Sequence, residues 1–378
     1  MPDISASPWR PAGCTGISLV LQGGGALGAY QAGVYQALHE AGLEPDWVAG
    51  VSIGAINSAI IAGNPPERRV ARLRQFWETI TARPISLFPA FDDLTRGVLG
   101  QWSSFLTTAF GQPGFFHPTV PNPWVSPPGA PTATAFYDTA PLAKTLISLI
   151  DFDLLNKGPV RYAAGAVDVL TGNFQYFDRE DETIGPEHDM ASGALPPALP
   201  MVRIGTDWFW DGGLVSNTPL QHVLDRGGSM DQLIFQVDLF SAQGPLPRTM
   251  PEVLARQKDI QYSSRTRLVT DQAAAAHRQN QMLKQVLDKV PEALLTPEEA
   301  AMKEALNDQA EIAILHLIYQ QAAYEGQSKD YEFSAETMRV HWEAGLRDAA
   351  ATLTHKEWLK MPTEFGGIVV HDVHHPQG

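Results

Sequence analysis

The sequence has little cysteine, little positive charge and no long apolar run. Cys14 is the only cysteine among 378 residues, so an intrachain disulfide is impossible and a reducing compartment is the simpler interpretation. No segment approaches the roughly 18 uninterrupted apolar residues of a membrane-spanning helix. Residues 1–16 lack the apolar centre of a secretory signal and predict a flexible tail. We therefore expect a cytoplasmic protein that contacts membranes at most peripherally.

Acidic residues outnumber basic ones, since 27 Lys and Arg stand against 42 Asp and Glu and give a net charge of -15. Nucleic acid is excluded as an expected partner because phosphate binding requires a basic patch. Strong electrostatic attraction to anionic lipid is not expected either. Hydrophobic residues make up 44% of the chain, which is enough for a sizeable folded core.

Strands and helices alternate early in the chain. Residues 17–21 form an apolar run that predicts a buried parallel strand, and a glycine-rich loop and an amphipathic helix follow it. A second strand at residues 47–49 leads into a helix of small residues. A turn at residues 171–173 predicts a hairpin between two later strands. The alternation predicts a mainly parallel sheet with helices on its faces.

Two regions depart from this pattern. Residues 83–137 are rich in Pro, Gly, Phe and Trp and show no clear period. Long irregular segments are often functional, so a lid, the wall of an acyl pocket and a surface insertion all remain open here. Beyond Pro251 the chain is rich in Ala, Gln, Glu and Lys, which predicts helices.

The pentapeptide GVSIG at residues 50–54 has the pattern of a nucleophile elbow, in which a serine occupies a sharp turn between a strand and a helix. The turn exposes the Ser52 hydroxyl above the sheet. Gly50 and Gly54 are needed because a Cβ atom would collide with the neighbouring strand and helix. The positive end of the following helix favours negative charge at this point.

The segment GGGALG at residues 23–28 has two interpretations. It fits the dinucleotide fingerprint, but that site needs an acidic residue at the end of the second strand, and Asp46 precedes this strand. An oxyanion hole also requires backbone N–H groups that approach the substrate closely, which glycine permits. The loop and the elbow both follow parallel strands, so they lie at the same edge of the sheet.

Ser52 requires a base. His222 follows Asp211, so a Ser, Asp, His order exists, but His222 lies in a predicted helix where a packing histidine is the better interpretation. Asp211 follows an aromatic strand and is succeeded by Gly212 and Gly213, a sharp turn that presents the carboxylate from a rigid element. The apolar residues 208–210 favour a raised pKa for this carboxyl group.

The three segments at residues 23–28, 50–54 and 211–213, in this order, resemble the motifs of the patatin-like phospholipase family. Residues 191–196 are similar to a further element of that family. The resemblance covers about residues 17–240. It implies a three-layer α/β/α fold with a mainly parallel central sheet, lipid acyl hydrolysis, and a Ser-Asp dyad that needs no histidine, metal or cofactor.

The resemblance also implies roles for individual residues. Ser52 is the nucleophile, Asp211 is its base, and the loop amides form the oxyanion hole. Many family members carry Arg or Lys where this chain has Leu27, a difference that bears on the preference for phosphate-bearing head groups. The oxyanion residues are Gly23, Gly24 and Gly25, and the glycines that support the motifs are Gly28, Gly50, Gly54, Gly212 and Gly213.

We therefore expect a tail at residues 1–16, an acyl hydrolase domain at 17–245 with a candidate lid at 83–137, and a helical extension at 246–378. The predicted function is hydrolysis of lipid carboxylic esters of the phospholipase A, lysophospholipase or lipase-esterase type, with a lipid ester as substrate. Three alternatives remain at this stage. They are an acyltransferase using the same acyl-enzyme, a dinucleotide-binding oxidoreductase and a non-catalytic lipid-binding protein. Head group, acyl length and oligomeric state stay open.

Overall fold

The structure is a computed structural model that describes residues 10–81, 111–264, 266–307, 310–320, 329–362 and 367–372. Its helices are α1 (Ala29–Glu40), α2 (Ile53–Ala62), α3 (Pro66–Ile80), α4 (Ala140–Leu149), α5 (Phe152–Lys157), α6 (Pro186–Ser192), α7 (Leu220–Arg226), α8 (Met250–Tyr262), α9 (Thr266–Leu287), α10 (Pro297–Asn307) and α11 (Ala335–Thr352). None of these helices combines the length and apolar character needed to cross a bilayer.

The strands are β1 (Gly16–Leu21), β2 (Trp47–Val51), β3 (His117–Pro118), β4 (Tyr137–Asp138), β5 (Arg161–Asp168), β6 (Phe174–Asp178), β7 (Val202–Ile204), β8 (Asp207–Asp211), β9 (Gln232–Asp238), β10 (Ile312–Ile318) and β11 (Ile368–Asp372). Nine of them form one sheet in the order β11-β10-β9-β1-β2-β5-β8-β7, with β6 also paired to β5. The pairs from β11 to β5 are parallel, and β6, β7 and β8 add antiparallel pairs.

Apolar side chains cover both faces of this sheet. Along β1, Leu19 and Leu21 belong to one hydrophobic cluster, which includes residues of α1, α2 and α11. Val20 points to the other face and joins a second cluster with Leu220 and Val223 of α7. Every residue of β1, β2 and β9 is buried, as expected of parallel strands covered on both sides. The predicted three-layer α/β/α architecture is therefore confirmed.

The segment expected to be a helical extension contains α8 to α11, but it also adds two strands that were not predicted. The strand β10 pairs with β9 in parallel and β11 pairs with β10, so the segment widens the central sheet. The helix α11 lies against α1, where the Tyr30 hydroxyl donates a 2.9 Å hydrogen bond to Asp348 and the Trp342 indole donates a 2.7 Å bond to Gln36. The extension is thus packed onto the main domain.

The structure describes the predicted tail at residues 1–16 and the predicted lid at residues 83–137 only in part. Residues 1–9 and 83–110 lie outside the described residues. Residues 10–16, predicted as part of a flexible tail, are instead attached to the sheet. Arg10 pairs with Asp46 at 2.5 Å, and Cys14 is 8% exposed because apolar core residues surround it. The described part of the predicted lid, residues 111–137, carries β3, which pairs with β4 to form a short antiparallel ribbon.

Candidate active site

Ser52 lies in the turn between β2 and α2 with a φ angle of 56°, and it is the only non-glycine residue among those described that has a positive φ. This conformation is the sharp turn of a nucleophile elbow. A Cβ atom on Gly50 would lie 2.2 Å from the Gly54 carbonyl carbon, and one on Gly54 would lie 2.3 Å from the Leu21 oxygen. The turn therefore depends on both glycines.

The Asp211 carboxylate lies beside Ser52 at the end of β8. It is 2% exposed, accepts a 2.7 Å hydrogen bond from the Gly213 amide, and lines the same cavity as Ser52. Burial raises the pKa of the Asp211 carboxyl to about 7, although the neighbouring Ser52 hydroxyl and the Gly213 amide act in the opposite direction. The two predicted catalytic side chains are thus neighbours in one cavity, and the pKa of the carboxyl group lies near neutral pH.

Residues 192–194 hold Ser52 and Asp211 in place through hydrogen bonds. The Ser192 hydroxyl accepts a 2.9 Å hydrogen bond from the Ser52 amide and donates a 2.7 Å bond to the Gly165 carbonyl. The Asp211 amide donates a 3.0 Å bond to the Ala194 carbonyl. Sequence analysis placed this segment in a family element but assigned no role to Ser192.

One of the three glycines predicted to form the oxyanion hole, Gly23, has its amide occupied by another partner. The Gly23 amide already donates a 3.1 Å hydrogen bond to the Asn217 carbonyl, and the Asn217 side chain returns a 3.0 Å bond to the Gly23 oxygen. Gly23 is therefore not an available oxyanion donor. Among the described residues, the amides of Gly24 and Gly25 have no acceptor. Asn217 carries no local sequence signal, because its partner is 194 residues away.

His222 does not belong to this site. Its Nε2 atom lies 2.9 Å from Asp178, and its ring stacks on Tyr176 at a centroid distance of 4.1 Å. It is a packing histidine, as the sequence indicates. None of the described histidines lines the cavity around Ser52.

Asp46 also lies away from the site. Its carboxylate accepts hydrogen bonds from Arg10 and from the Ile17 amide at the start of β1, whereas Ser52 follows the end of the parallel strand β2. The position after β2, where a dinucleotide site places its acidic residue, is therefore occupied by Ser52.

A cavity of about 670 Å³ opens above Ser52 and Asp211. Its walls are mainly apolar, and rings of Phe333, Phe115, Phe116 and Tyr137 follow one another at centroid distances of 5.8, 5.3 and 4.8 Å. Other apolar lining residues are Pro118, Phe136, Leu195, Pro197, Leu199 and Phe240. A mainly apolar wall beside Ser52 and Asp211 is suited to an acyl chain.

The C-terminal segment supplies one side of the cavity through Tyr262, Asp330, Tyr331 and Phe333. Lys258 pairs with Asp330 at 2.5 Å and Lys329 pairs with Asp259 at 2.7 Å, so two ion pairs join the turn at residues 329–331 to α8. The turn also contacts the glycine loop, since a Cβ on Gly25 would lie 2.3 Å from the Asp330 carbonyl oxygen. Sequence reasoning missed this wall because its residues follow the last motif by 49 positions or more.

Leu27 is fully buried in the core and does not line the cavity. Its side chain therefore packs behind the glycine loop and contributes nothing to the cavity wall.

Comparison with known proteins supports the motif analysis. Residues 19–224 match the family profile described as patatin-like phospholipase, and residues 260–364 match a second profile described as patatin phospholipase. The chain is 54% identical over 46 residues to lysophospholipase nte1 of Aspergillus terreus, a match of 12% of this chain and 3% of that protein. It is 37% identical over 87 residues to neuropathy target esterase sws of Drosophila melanogaster, a match of 23% of this chain and 6% of that protein.

These curated relatives are therefore much longer than the region they share with this chain. Among solved structures, human GIVD cytosolic phospholipase A2 aligns with 91% of this chain and 59% of its own, at 12% identity and a TM-score of 0.42. The first family profile covers more than half of the 378 residues and includes the elbow, the glycine loop and Asp211. This chain belongs to the patatin-like phospholipase family.

Proposed function

We propose that the protein is a serine hydrolase that cleaves lipid carboxylic esters through a dyad of Ser52 and Asp211. The observation that carries this proposal is the position of Ser52, in its sharp turn, and of the buried Asp211 as neighbours in the lining of one apolar cavity. Family membership supports a lipid substrate. The phospholipase A, lysophospholipase and lipase-esterase types all share this chemistry.

In the first half of the reaction, Asp211 accepts the proton of Ser52 while the serine oxygen attacks the ester carbonyl carbon. The negative charge that develops on the carbonyl oxygen is stabilised by the amides of Gly24 and Gly25, whose loop lies beside Ser52. When the ester C–O bond breaks, protonated Asp211 gives its proton to the departing alkoxide. Ser52 then carries the acyl group.

Water completes the cycle by the reverse route. Asp211 takes a proton from water, and the resulting hydroxide attacks the acyl carbon. The Ser52 oxygen leaves, regains a proton from Asp211, and the fatty acid departs. A carboxyl pKa of about 7 suits this exchange, because the group can both accept and donate a proton near neutral pH.

Hydrolysis of p-nitrophenyl esters of increasing acyl length tests the proposal. We expect turnover by the wild-type protein, a preference for longer acyl chains that contact the aromatic wall, and loss of turnover by at least about 1,000-fold in Ser52→Ala. Turnover that survives in folded Ser52→Ala would contradict the assignment. Adding an alcohol acceptor and measuring ester product against free acid distinguishes acyl transfer from hydrolysis.

A further inference from the structure

The loop between β3 and β4, residues 119–136, has two faces. Thr119, Asn122 and Pro123 line the cavity above Ser52. The side chains on the other face are apolar and open to solvent, with Val120 85%, Trp124 85% and Val125 75% exposed. We call these three residues the apolar tip. The same short loop therefore forms part of the cavity wall and displays an apolar surface next to it.

The apolar tip is held in a fixed shape. The Asn122 side chain accepts a 3.1 Å hydrogen bond from the Trp124 amide, and the Asn122 carbonyl accepts a 3.0 Å bond from the Val125 amide. Ser126 and Thr132 hydroxyls bond to each other at 2.8 Å. Prolines at positions 121, 123, 127, 128 and 131 restrict the backbone further. The folded loop therefore keeps one tryptophan and two valine side chains exposed to water, although burial of these apolar surfaces would be favourable.

Charge distinguishes this loop from the rest of the surface. Residues 118–137 contain no Asp, Glu, Lys or Arg, although charged residues make up 18% of the chain and its net charge is -15. An uncharged loop does not fit a partner selected by charge. Because the rest of the protein is acidic, a strongly anionic membrane would repel it. Tryptophan is enriched where proteins meet the interface of a bilayer.

We propose that Val120, Trp124 and Val125 dock the protein on the surface of a zwitterionic lipid bilayer, with the cavity mouth against the lipid. This inference rests on the proposed function, which supplies a lipid ester as substrate. Pro123 lines the cavity and its neighbour Trp124 is exposed, so insertion of the tip brings the cavity wall to the membrane. A lipid can then reach Ser52 without complete transfer through water.

The test is sedimentation with phosphatidylcholine vesicles, using full-length Ser52→Ala protein so that hydrolysis does not alter the lipid. We expect the partition coefficient to fall about 10-fold or more when Trp124→Ala is added, because a large apolar surface no longer leaves water. Leu170→Ala is the matched control, since Leu170 is 80% exposed at the turn between β5 and β6. It should bind like the parent, and 0.5 M salt should leave binding unchanged.

An unchanged partition coefficient in Trp124→Ala would overturn the proposal, as would binding that needs anionic lipid and disappears in salt. A lipid-free dimer that dissociates in Trp124→Ala would assign the tip to self-association instead. Turnover of a short soluble ester by the wild-type protein is measured alongside. Vesicle binding without any ester turnover would contradict the proposed function and leave docking intact, whereas turnover without vesicle binding would contradict docking alone.

Discussion

The amide N–H of Ser52 donates a 2.9 Å hydrogen bond to the hydroxyl of Ser192, which lies 140 residues further along the chain. Ser192 is fully buried, and its hydroxyl donates a 2.7 Å hydrogen bond to the Gly165 carbonyl. The positive φ of Ser52 is a strained backbone conformation that the surroundings must maintain. Ser192 thus connects the elbow to β5 and holds the backbone of Ser52 in place.

Replacing Ser192 with alanine removes this connection and leaves a buried N–H and a buried carbonyl without their partner. We expect a loss of about 1–3 kcal/mol in the free energy of unfolding and a fall in kcat of about 10- to 100-fold with little change in KM. Ser58→Ala is the control, because the Ser58 hydroxyl is also buried and has no hydrogen-bond partner among the described residues. Equal kcat in Ser192→Ala and wild type would refute the positioning role.

Activity should depend on the ionisation of Asp211. The carboxyl must be deprotonated to accept the serine proton, and burial raises its pKa to about 7. We therefore expect kcat/KM to rise about tenfold per pH unit below neutrality and to level off above pH 7. Steady-state rates from pH 5 to 9 check this, with circular dichroism at each pH to confirm folding. A flat profile between pH 5 and 7 would contradict Asp211 as the base.

The same raised pKa affects stability. An unfolded Asp titrates near its model value of 3.8 and folded Asp211 near 7, so the folded state binds more protons between these values and stability falls as pH rises across this window. Asn carries no charge, so Asp211→Asn should be more stable than wild type at pH 8 by up to about 4 kcal/mol, with the difference vanishing near pH 4.

Asp189→Asn separates this effect from catalysis. Asp189 is fully buried, does not line the cavity, and has a pKa raised to about 8 by burial. Its variant should also gain stability at alkaline pH while keeping its activity, whereas Asp211→Asn should gain stability and lose activity. Urea unfolding at pH 4 and pH 8 measures the stability of both variants, and ester turnover measures their activity. A destabilised Asp211→Asn at pH 8 would contradict the burial argument.

Gly25 should not tolerate a side chain. Its φ is +54°, and a Cβ would lie 2.3 Å from the Asp330 carbonyl oxygen, so Gly25→Ala must displace either the oxyanion loop or the turn at residues 329–331. We expect kcat to fall about 100-fold or more. Gly172→Ala is the control, since Gly172 has a φ of +70° with open space around it. Similar losses in both variants would attribute the effect to backbone strain alone.

Local chemistry made much of the site predictable. The elbow and the glycine loop are short patterns whose neighbouring strand and helix are visible in the sequence. Gly50 is required by a contact within its own motif, whereas Gly54 is required by Leu21 and Gly25 by Asp330. Asp211 was identified with help from family resemblance, because Asp-Gly-Gly alone is an ordinary turn. The hairpin between β5 and β6 was also predicted correctly, since its turn and its alternating strands are local features.

Long-range contacts account for what was missed. The Gly23 amide is not available as an oxyanion donor because it is bonded to the distant Asn217. The cavity wall depends on Tyr262, whose carbonyl accepts a 3.1 Å hydrogen bond from Gln22, 240 residues earlier. The strand β10 has six apolar residues and one histidine, but the helix-forming composition before it favours helix throughout this segment. A single sequence carries no sign that such distant segments meet.

The central claim is that Asp211, without a histidine, activates Ser52. The most direct measurement is the rate at which an alkyl fluorophosphonate labels Ser52, located by peptide mass spectrometry, in wild type, Asp211→Asn and His222→Ala. We expect labelling of Ser52 at similar rates in wild type and His222→Ala and a loss of about 1,000-fold or more in Asp211→Asn. Labelling that persists in folded Asp211→Asn, or that disappears in folded His222→Ala, would contradict the dyad.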